Sequence, residues 1–168
     1  MTDNNGNRHM AFICSKGDLD MVYPALIMGW AALGNGVDVS IFFTFWGLDM
    51  IRKDRVDHLE IAPVANTSMK MSMMGVPGNI GIPQFMGIIP GMTPFATALM
   101  KSKMKKLDVP PVREYIQMMM DAGAKFYPCK MSVDMFQLKQ EDFIDGVEPV
   151  MTAGDFIDLT DGAQIIFI

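Results

Sequence analysis

The chain has 168 residues and a formal net charge of -5. Half of its residues are hydrophobic, which is typical of globular proteins and excludes a disordered or fibrous chain. The negative charge argues against nucleic-acid binding through a general basic field, because that mode requires clustered Lys and Arg. The two cysteines are too few for a disulfide scaffold and lack the spacing of zinc ligands, so their interest lies in reactivity.

Residues 1–8 are mainly polar and predict a flexible tail, followed by a single domain over residues 9–168. The polar start has no apolar stretch of the kind that secretion signals contain, so we expect a cytoplasmic protein. Thiols stay reduced in that compartment, and both cysteines are therefore expected to be free.

Residues 9–43 predict a strand, a helix and a second strand. The first strand is His9–Cys14, a short apolar run that ends at a turn. A helix then starts near Asp18 and closes at Gly34, and Val37–Phe43 has the β-branched and aromatic residues of a strand. This order is that of a right-handed βαβ unit, which makes the two strands parallel.

The middle of the chain predicts a Met-rich insertion at about residues 66–100. Residues 71–100 carry no charge, and their four prolines and five glycines break any helix long enough to cross a bilayer. A short helix is predicted before this insertion at Gly47–Lys53, and a strand or extended loop at Leu59–Val64. Helix resumes at Pro94–Leu107.

The last third predicts further helices and strands, which gives an α/β fold with a mostly parallel sheet. The predicted elements are a helix at Pro111–Ala122, a strand at Lys125–Cys129, a helix at Val133–Leu138 capped by Ser132, a helical turn at Glu141–Ile144, a helix at Thr152–Leu159 and a strand at Gln164–Ile168.

Cys14 and Cys129 each end a predicted strand just before a turn into a helix. Ligands of open α/β sheets gather at this edge, where the strand order reverses. A helix start favours thiolate over thiol, Lys16 and Lys130 act in the same direction, and Ser132 would orient the helix. Free cysteines are also often buried and inert, so the residues alone leave both interpretations open.

The methionines support a different hypothesis. Met69, Met71, Met73 and Met74 stand close together, and thioethers bind Cu(I). Methionine also fills cores and contact surfaces, and an uncharged insertion needs cover, which favours burial against a second subunit in a homo-oligomer. The alternative function is thus a non-catalytic binding or assembly module for Cu(I), a partner or a membrane surface.

Four stretches of the sequence resemble the DsrE/DsrF-like family, in particular its soluble Met-rich branch, often labelled peroxiredoxin-family protein. They are CSKGDLDMVYPALIMGWAA, IFFTFWGLDMI, the IAPVAN segment with its Met-rich continuation, and YPCKMSVDMF followed by EDFIDGV. The resemblance covers most of residues 9–168. It implies a flavodoxin-like or Rossmann-like three-layer sandwich assembled as a homo-oligomer. The peroxiredoxin label has no support in the residues, which contain no recognisable peroxidatic motif.

The resemblance also implies a function in sulfur relay. A family cysteine accepts sulfane sulfur as a persulfide and passes it on, with a TusA-like carrier or a rhodanese-type donor as partner. The matching acceptor here is Cys129, and Cys14 matches a second cysteine that would help to resolve or relay the sulfur. Such transfer needs no metal and no organic cofactor, but it needs a thiol that ionises and is reachable from solvent. A further alternative is a dithiol redox protein that forms a disulfide between Cys14 and Cys129.

Overall fold

The structure is a computed structural model that describes residues 8–62, 70, 81, 83, 85 and 88–168. Residue contacts divide it into two compact units. The first unit takes in the residues up to Gly17, Met21–Leu59 and Pro111–Ile168. The second takes in Asp18–Asp20 and Glu60–Pro110. Most of the predicted Met-rich insertion, between residues 66 and 87, lies outside the described residues.

The first unit contains a sheet of four parallel strands. They are β1 at His9–Cys14, β2 at Asp38–Phe43, β3 at Lys125–Pro128 and β4 at Gln164–Phe167. The strand order is β3-β2-β1-β4, and all three pairings are parallel. The predicted α/β class with a parallel sheet is therefore confirmed. The chain builds outward from β1 to β3 and then returns to the other side of β1, so the strand order reverses between β1 and β4.

The helices of the described residues agree with most of the predicted ones. They are α1 at Leu19–Gly34, a 3-10 helix at Phe45–Met50, α2 at Met92–Lys106, α3 at Val112–Asp121, α4 at Lys130–Met135, a 3-10 turn at Gln140–Asp142 and α5 at Ala153–Leu159. The predicted strand or extended loop at residues 59–64 has no regular secondary structure over its described part, residues 59–62.

Helices cover both faces of the sheet. On one face, Gly29 of α1 lies against Phe12 of β1 and Met119 of α3. On the other face, Phe156 of α5 stacks on Phe42 of β2 with ring centroids 4.6 Å apart. These layers are the sandwich arrangement that the resemblance implied. Because both faces are covered, the strands can be apolar along their whole length.

The helix after Cys129 begins earlier than the sequence predicts. We expected a helix at Val133–Leu138 with Ser132 as its N-cap, but α4 covers Lys130–Met135 and Cys129 takes the N-cap position. The predicted capping role of Ser132 is therefore wrong. Its side chain is fully buried and hydrogen-bonds another segment of the chain, so it does not cap α4.

Candidate functional site

Cys14 and Cys129 both lie at the carboxyl edge of the sheet, but they are not on neighbouring strands. Cys14 pairs with Phe43 of β2, which in turn pairs with Pro128 of β3, directly before Cys129. Two strand spacings are about 9.5 Å, whereas disulfide-bonded residues have Cα atoms about 4.4–6.8 Å apart. The dithiol hypothesis, which needs close sulfurs, is therefore wrong for this fold.

The two cysteines also lie on opposite faces of the sheet. Side chains alternate between faces along a strand, so Cys14 shares a face with Phe12. Cys129 instead belongs to the apolar cluster that contains Ala11 and Phe42, which lie on the other face. A sulfur atom therefore has no direct route from one thiol to the other.

Cys14 is enclosed by the core. Its exposed fraction is 1%, and burial raises the pKa of its thiol to about 12. The thiol is thus protonated at neutral pH, while only the thiolate is a good nucleophile. Its carbonyl oxygen is also covered, because a Cβ built on Gly47 would lie 2.1 Å from that oxygen. Helix α1 begins at Leu19, within one residue of the predicted start, which leaves Cys14 five positions before the helix. The expected effect of a helix start on this thiol is therefore weak, because the helix dipole acts only near the first turn.

Cys129 is also buried, with an exposed fraction of 4%. The cluster around it consists of buried Ala11, Phe42 and Phe156, with partly buried Ile13, Tyr127, Met151 and Ala163. The solvent access that we expected for this thiol is therefore absent from this conformation. The backbone on both sides is fixed, since the Cys129 N–H donates to Phe43 O at 2.9 Å and its carbonyl accepts from the Val133 N–H at 2.9 Å.

A short segment runs along the outer edge of β3 and covers this side of the sheet. It is held by three backbone hydrogen bonds: Glu148 N–H to Phe126 O at 2.9 Å, Met151 N–H to Pro128 O at 3.1 Å and Lys130 N–H to Met151 O at 2.9 Å. Helix α5 follows, and its one buried residue is Phe156. We call residues 148–159 the cover of Cys129. Side chains add to these contacts. Gln140 donates through its Nε2 to Glu148 O and accepts at its Oε1 from the Val150 N–H, both at 3.2 Å, and the Lys125 ammonium is 2.8 Å from the Glu148 carboxylate.

Ser132 links α4 to the segment that follows β2. Its Oγ accepts a hydrogen bond from the Phe45 N–H at 2.8 Å and hydrogen-bonds Thr44 Oγ1 at 3.1 Å. Phe45 has a φ of 46°, the left-handed region that a bulky residue rarely adopts. Sequence reasoning missed this link because 87 positions separate the two residues.

Comparison with known proteins identifies the family. The model of the DsrE/DsrF/DrsH-like family matches residues 6–168. The chain belongs to this family. It is 35% identical over 153 residues to the sulfur carrier protein DsrE2 of Allochromatium vinosum, covering 89% of this chain and 91% of that protein. It is 26% identical over 163 residues to the uncharacterized protein YrkE of Bacillus subtilis, covering 96% of this chain and 97% of that protein.

A solved structure has a similar fold. The protein of unknown function MTH1491 from Methanobacterium thermoautotrophicum matches with a TM-score of 0.57, covering 96% of this chain and 100% of that one. Sequence identity is 11%, so this likeness concerns the fold alone.

The lysines beside the two cysteines lie at the surface. The Lys130 ammonium is 2.8 Å from the Asp134 carboxylate, and both side chains are more than half exposed. Its charge is thus largely balanced by a pair that contributes little to stability in water. Lys16 is exposed in the loop after β1. The electrostatic effect of these lysines on Cys14 and Cys129 is therefore weakened, by solvent at Lys16 and by the ion pair with Asp134 at Lys130.

The remaining sequence-based hypotheses concern metal binding, a membrane-spanning helix and the Met-rich insertion. Among the described residues, no group of His, Cys, Asp or Glu is arranged to hold a metal ion. No helix in the same part of the chain is both long and apolar enough to cross a membrane. The four methionines of the Cu(I) hypothesis, Met69, Met71, Met73 and Met74, lie outside the described residues.

Proposed function

We propose that this chain accepts sulfane sulfur as a persulfide on Cys129 and passes it to a partner protein. The observation that carries the proposal is the place of this thiol at the carboxyl edge of the sheet, in a chain 35% identical to a sulfur carrier protein. The chain has two cysteines, and Cys14 is sealed in the core with a raised pKa. Cys129 is therefore the better candidate for the acceptor.

The proposed transfer is a balanced thiol exchange. The Cys129 thiolate attacks the outer sulfur of a donor persulfide, a new S–S bond forms, and the donor leaves as a thiolate. In the second half, an acceptor thiolate attacks the outer sulfur on Cys129, which leaves as a thiolate in turn. The cycle needs no external oxidant or reductant. A rhodanese-type donor and a TusA-like carrier are the proposed partners, and the cytoplasm is the proposed compartment, since thiols stay reduced there.

The cover must open before a donor can reach Cys129. Opening of residues 151–159 alone would uncover the thiol, and this part is held by two backbone hydrogen bonds at Met151 and by the burial of Phe156 against Phe42. These interactions amount to about 5 kcal/mol, which corresponds to one open molecule in several thousand. Local openings of this size are ordinary in native proteins. The closed state would protect the persulfide from side reactions between transfers.

The described surface also supports the proposed self-association. The outer edge of β3 is lined by residues 148–151, whereas β4 is at the other end of the sheet with no described strand beside it. Its Ile165 is 50% exposed and its Phe167 68% exposed. Open strand edges with apolar side chains pair readily with another chain, so a second copy paired at β4 fits this surface. Sedimentation of Phe167→Lys tests this pairing, with Ile27→Lys on α1 as the control; an unchanged oligomer in Phe167→Lys would exclude it.

The central test is persulfide loading of the intact protein. The full chain is incubated with polysulfide or with a persulfidated rhodanese-type domain, and its intact mass is measured under native conditions. We expect an adduct of one sulfur, about 32 Da. The adduct should persist in Cys14→Ser and disappear in Cys129→Ser. A wild-type protein that gains no sulfur from either donor, or an adduct that survives in Cys129→Ser, contradicts the proposal.

A further inference from the structure

Apolar side chains stand exposed where α4 meets the 3-10 helix that begins at Phe45. The exposed fractions are 63% for Trp46, 60% for Met131, 50% for Met135 and 37% for Phe45. The rings form a continuous row, with centroids 6.1 Å apart between Phe45 and Trp46 and 6.2 Å apart between Trp46 and Phe136. We call these five residues the aromatic–methionine patch.

The backbone holds this patch in a fixed arrangement. Phe45 keeps its left-handed φ of 46° while its N–H donates to the buried Ser132 Oγ at 2.8 Å. Met131 and Met135 are four positions apart on α4, so they share one side of that helix. Ser132 and Phe136 lie on the adjoining side of α4 and its C-terminal end, and Phe136 belongs to the aromatic row. A preformed surface of this kind loses little conformational freedom on binding.

The size of the patch fits a contact with another protein. From the exposed fractions and typical side-chain areas, the patch presents roughly 450 Å² of apolar surface. A stable complex buries about 800 Å² on each partner, whereas transient encounters bury less. Somewhat more than half of the area of a typical interface is apolar, so the apolar surface of the patch matches one side of a protein–protein contact. Solitary exposed apolar residues need no explanation, but a contiguous patch of this size often has a function.

We infer that the aromatic–methionine patch is the docking surface for the protein that exchanges sulfur with Cys129. This inference rests on the proposed function and identifies where the partner binds. The partner is a small protein that carries a thiol or persulfide beside an apolar surface of its own. Cys129 is the N-cap residue of α4, so a partner seated on Met131 contacts the same helix within one turn of the acceptor.

Methionine fits the requirements of a relay. A relay protein meets a donor and an acceptor in turn, and both must approach the same sulfur. Unbranched thioether side chains repack against differently shaped partners, which suits a surface that binds more than one protein. Trp46, the most exposed aromatic residue of the patch, is the natural anchor, since tryptophan is enriched among residues that dominate binding.

The test separates docking from chemistry. Three full-length proteins are compared: the wild type, Trp46→Ala and Met135→Gln. Each is mixed with increasing concentrations of a persulfidated donor, which is a rhodanese-type domain in one series and a TusA-like carrier in the other. Single-turnover loading of Cys129 is followed by intact mass. Ile27→Ala, which removes an exposed apolar side chain from α1, is the matched control. We expect Trp46→Ala to need about tenfold more donor for half-maximal rate, with the maximal rate within about twofold of wild type.

The outcomes distinguish this inference from the proposed function. An unchanged half-saturating concentration in Trp46→Ala, or the same change in Ile27→Ala, overturns the docking surface. Loading of the wild type by polysulfide but by neither protein donor overturns it as well. An oligomer that dissociates in Trp46→Ala during sedimentation assigns the patch to a second copy and overturns it too. If no donor of any kind forms a persulfide on Cys129, the proposed function itself fails.

Discussion

Raising the pH from 7 to 10 should destabilise the protein through Cys14. Burial raises the pKa of this thiol from 9.0 to about 12, so the folded state keeps the proton that the unfolded state releases above pH 9. The stability linked to this proton is fully present below pH 9 and is lost as the pH rises toward 12. Neutral pH therefore shows none of the effect, and alkaline pH reveals it.

The size of the loss follows from the two pKa values. At pH 10 the unfolded thiol is about nine-tenths ionised and the folded thiol about one-hundredth, which lowers the free energy of unfolding by about 1.4 kcal/mol. The full loss above pH 12 is about 4 kcal/mol. A loss of about 1.4 kcal/mol is readily measured by denaturant titration.

The assay is urea unfolding at pH 7 and pH 10, in reductant, for wild type and Cys14→Ala. The variant removes the titrating thiol but keeps every other group that titrates in this range, so the difference between the two pH dependences isolates Cys14. Wild type should lose about 1.4 kcal/mol more than the variant. Equal losses in the two proteins would show that the thiol is not sealed, and Cys14 would return as a candidate for sulfur chemistry.

Two further predictions concern the packing around the cysteines. Gly47→Ala should lower the free energy of unfolding by about 1–3 kcal/mol in urea titration, because its Cβ would lie 2.1 Å from Cys14 O. Gly34→Ala is the control, since a Cβ there meets open space and should not destabilise the protein. Similar free energies for the two variants would contradict the close packing at Gly47. Thr152→Ala removes the hydroxyl that caps α5 and costs about 1 kcal/mol. If α5 covers Cys129, native alkylation of that thiol in Thr152→Ala should accelerate about fivefold, and an unchanged rate would exclude α5 from the cover.

Local sequence patterns predicted the strands and most of the helices because those elements are determined by nearby residues. The apolar run at His9–Cys14 and the β-branched run after Val37 both form strands, and both cysteines lie at the carboxyl edge as expected. The strand order could not be predicted from local sequence patterns. The insertion of β2 between the cysteines depends on contacts between distant parts of the chain, and no local pattern records them.

The candidate site shows the same limit more sharply. A shift of one residue exchanges the faces of a strand, so the opposite placement of Cys14 and Cys129 could not be predicted without the register. The burial of Cys129 depends on residues 148–159, some twenty to thirty positions further along the chain. Ser132 is of a residue type that often caps helices, but its hydroxyl accepts a hydrogen bond from the Phe45 N–H instead. In each case the deciding contact is non-local.

The placement of the thiols on opposite faces of the sheet also determines how the protein recovers from oxidation of a cysteine. A thiolate oxidised to sulfenic acid is usually rescued by a second thiol that condenses with it. Cys14 cannot reach Cys129 across β2, so the chain carries no resolving thiol of its own. Recovery from peroxide damage would fall to glutathione or to the cysteine of another protein.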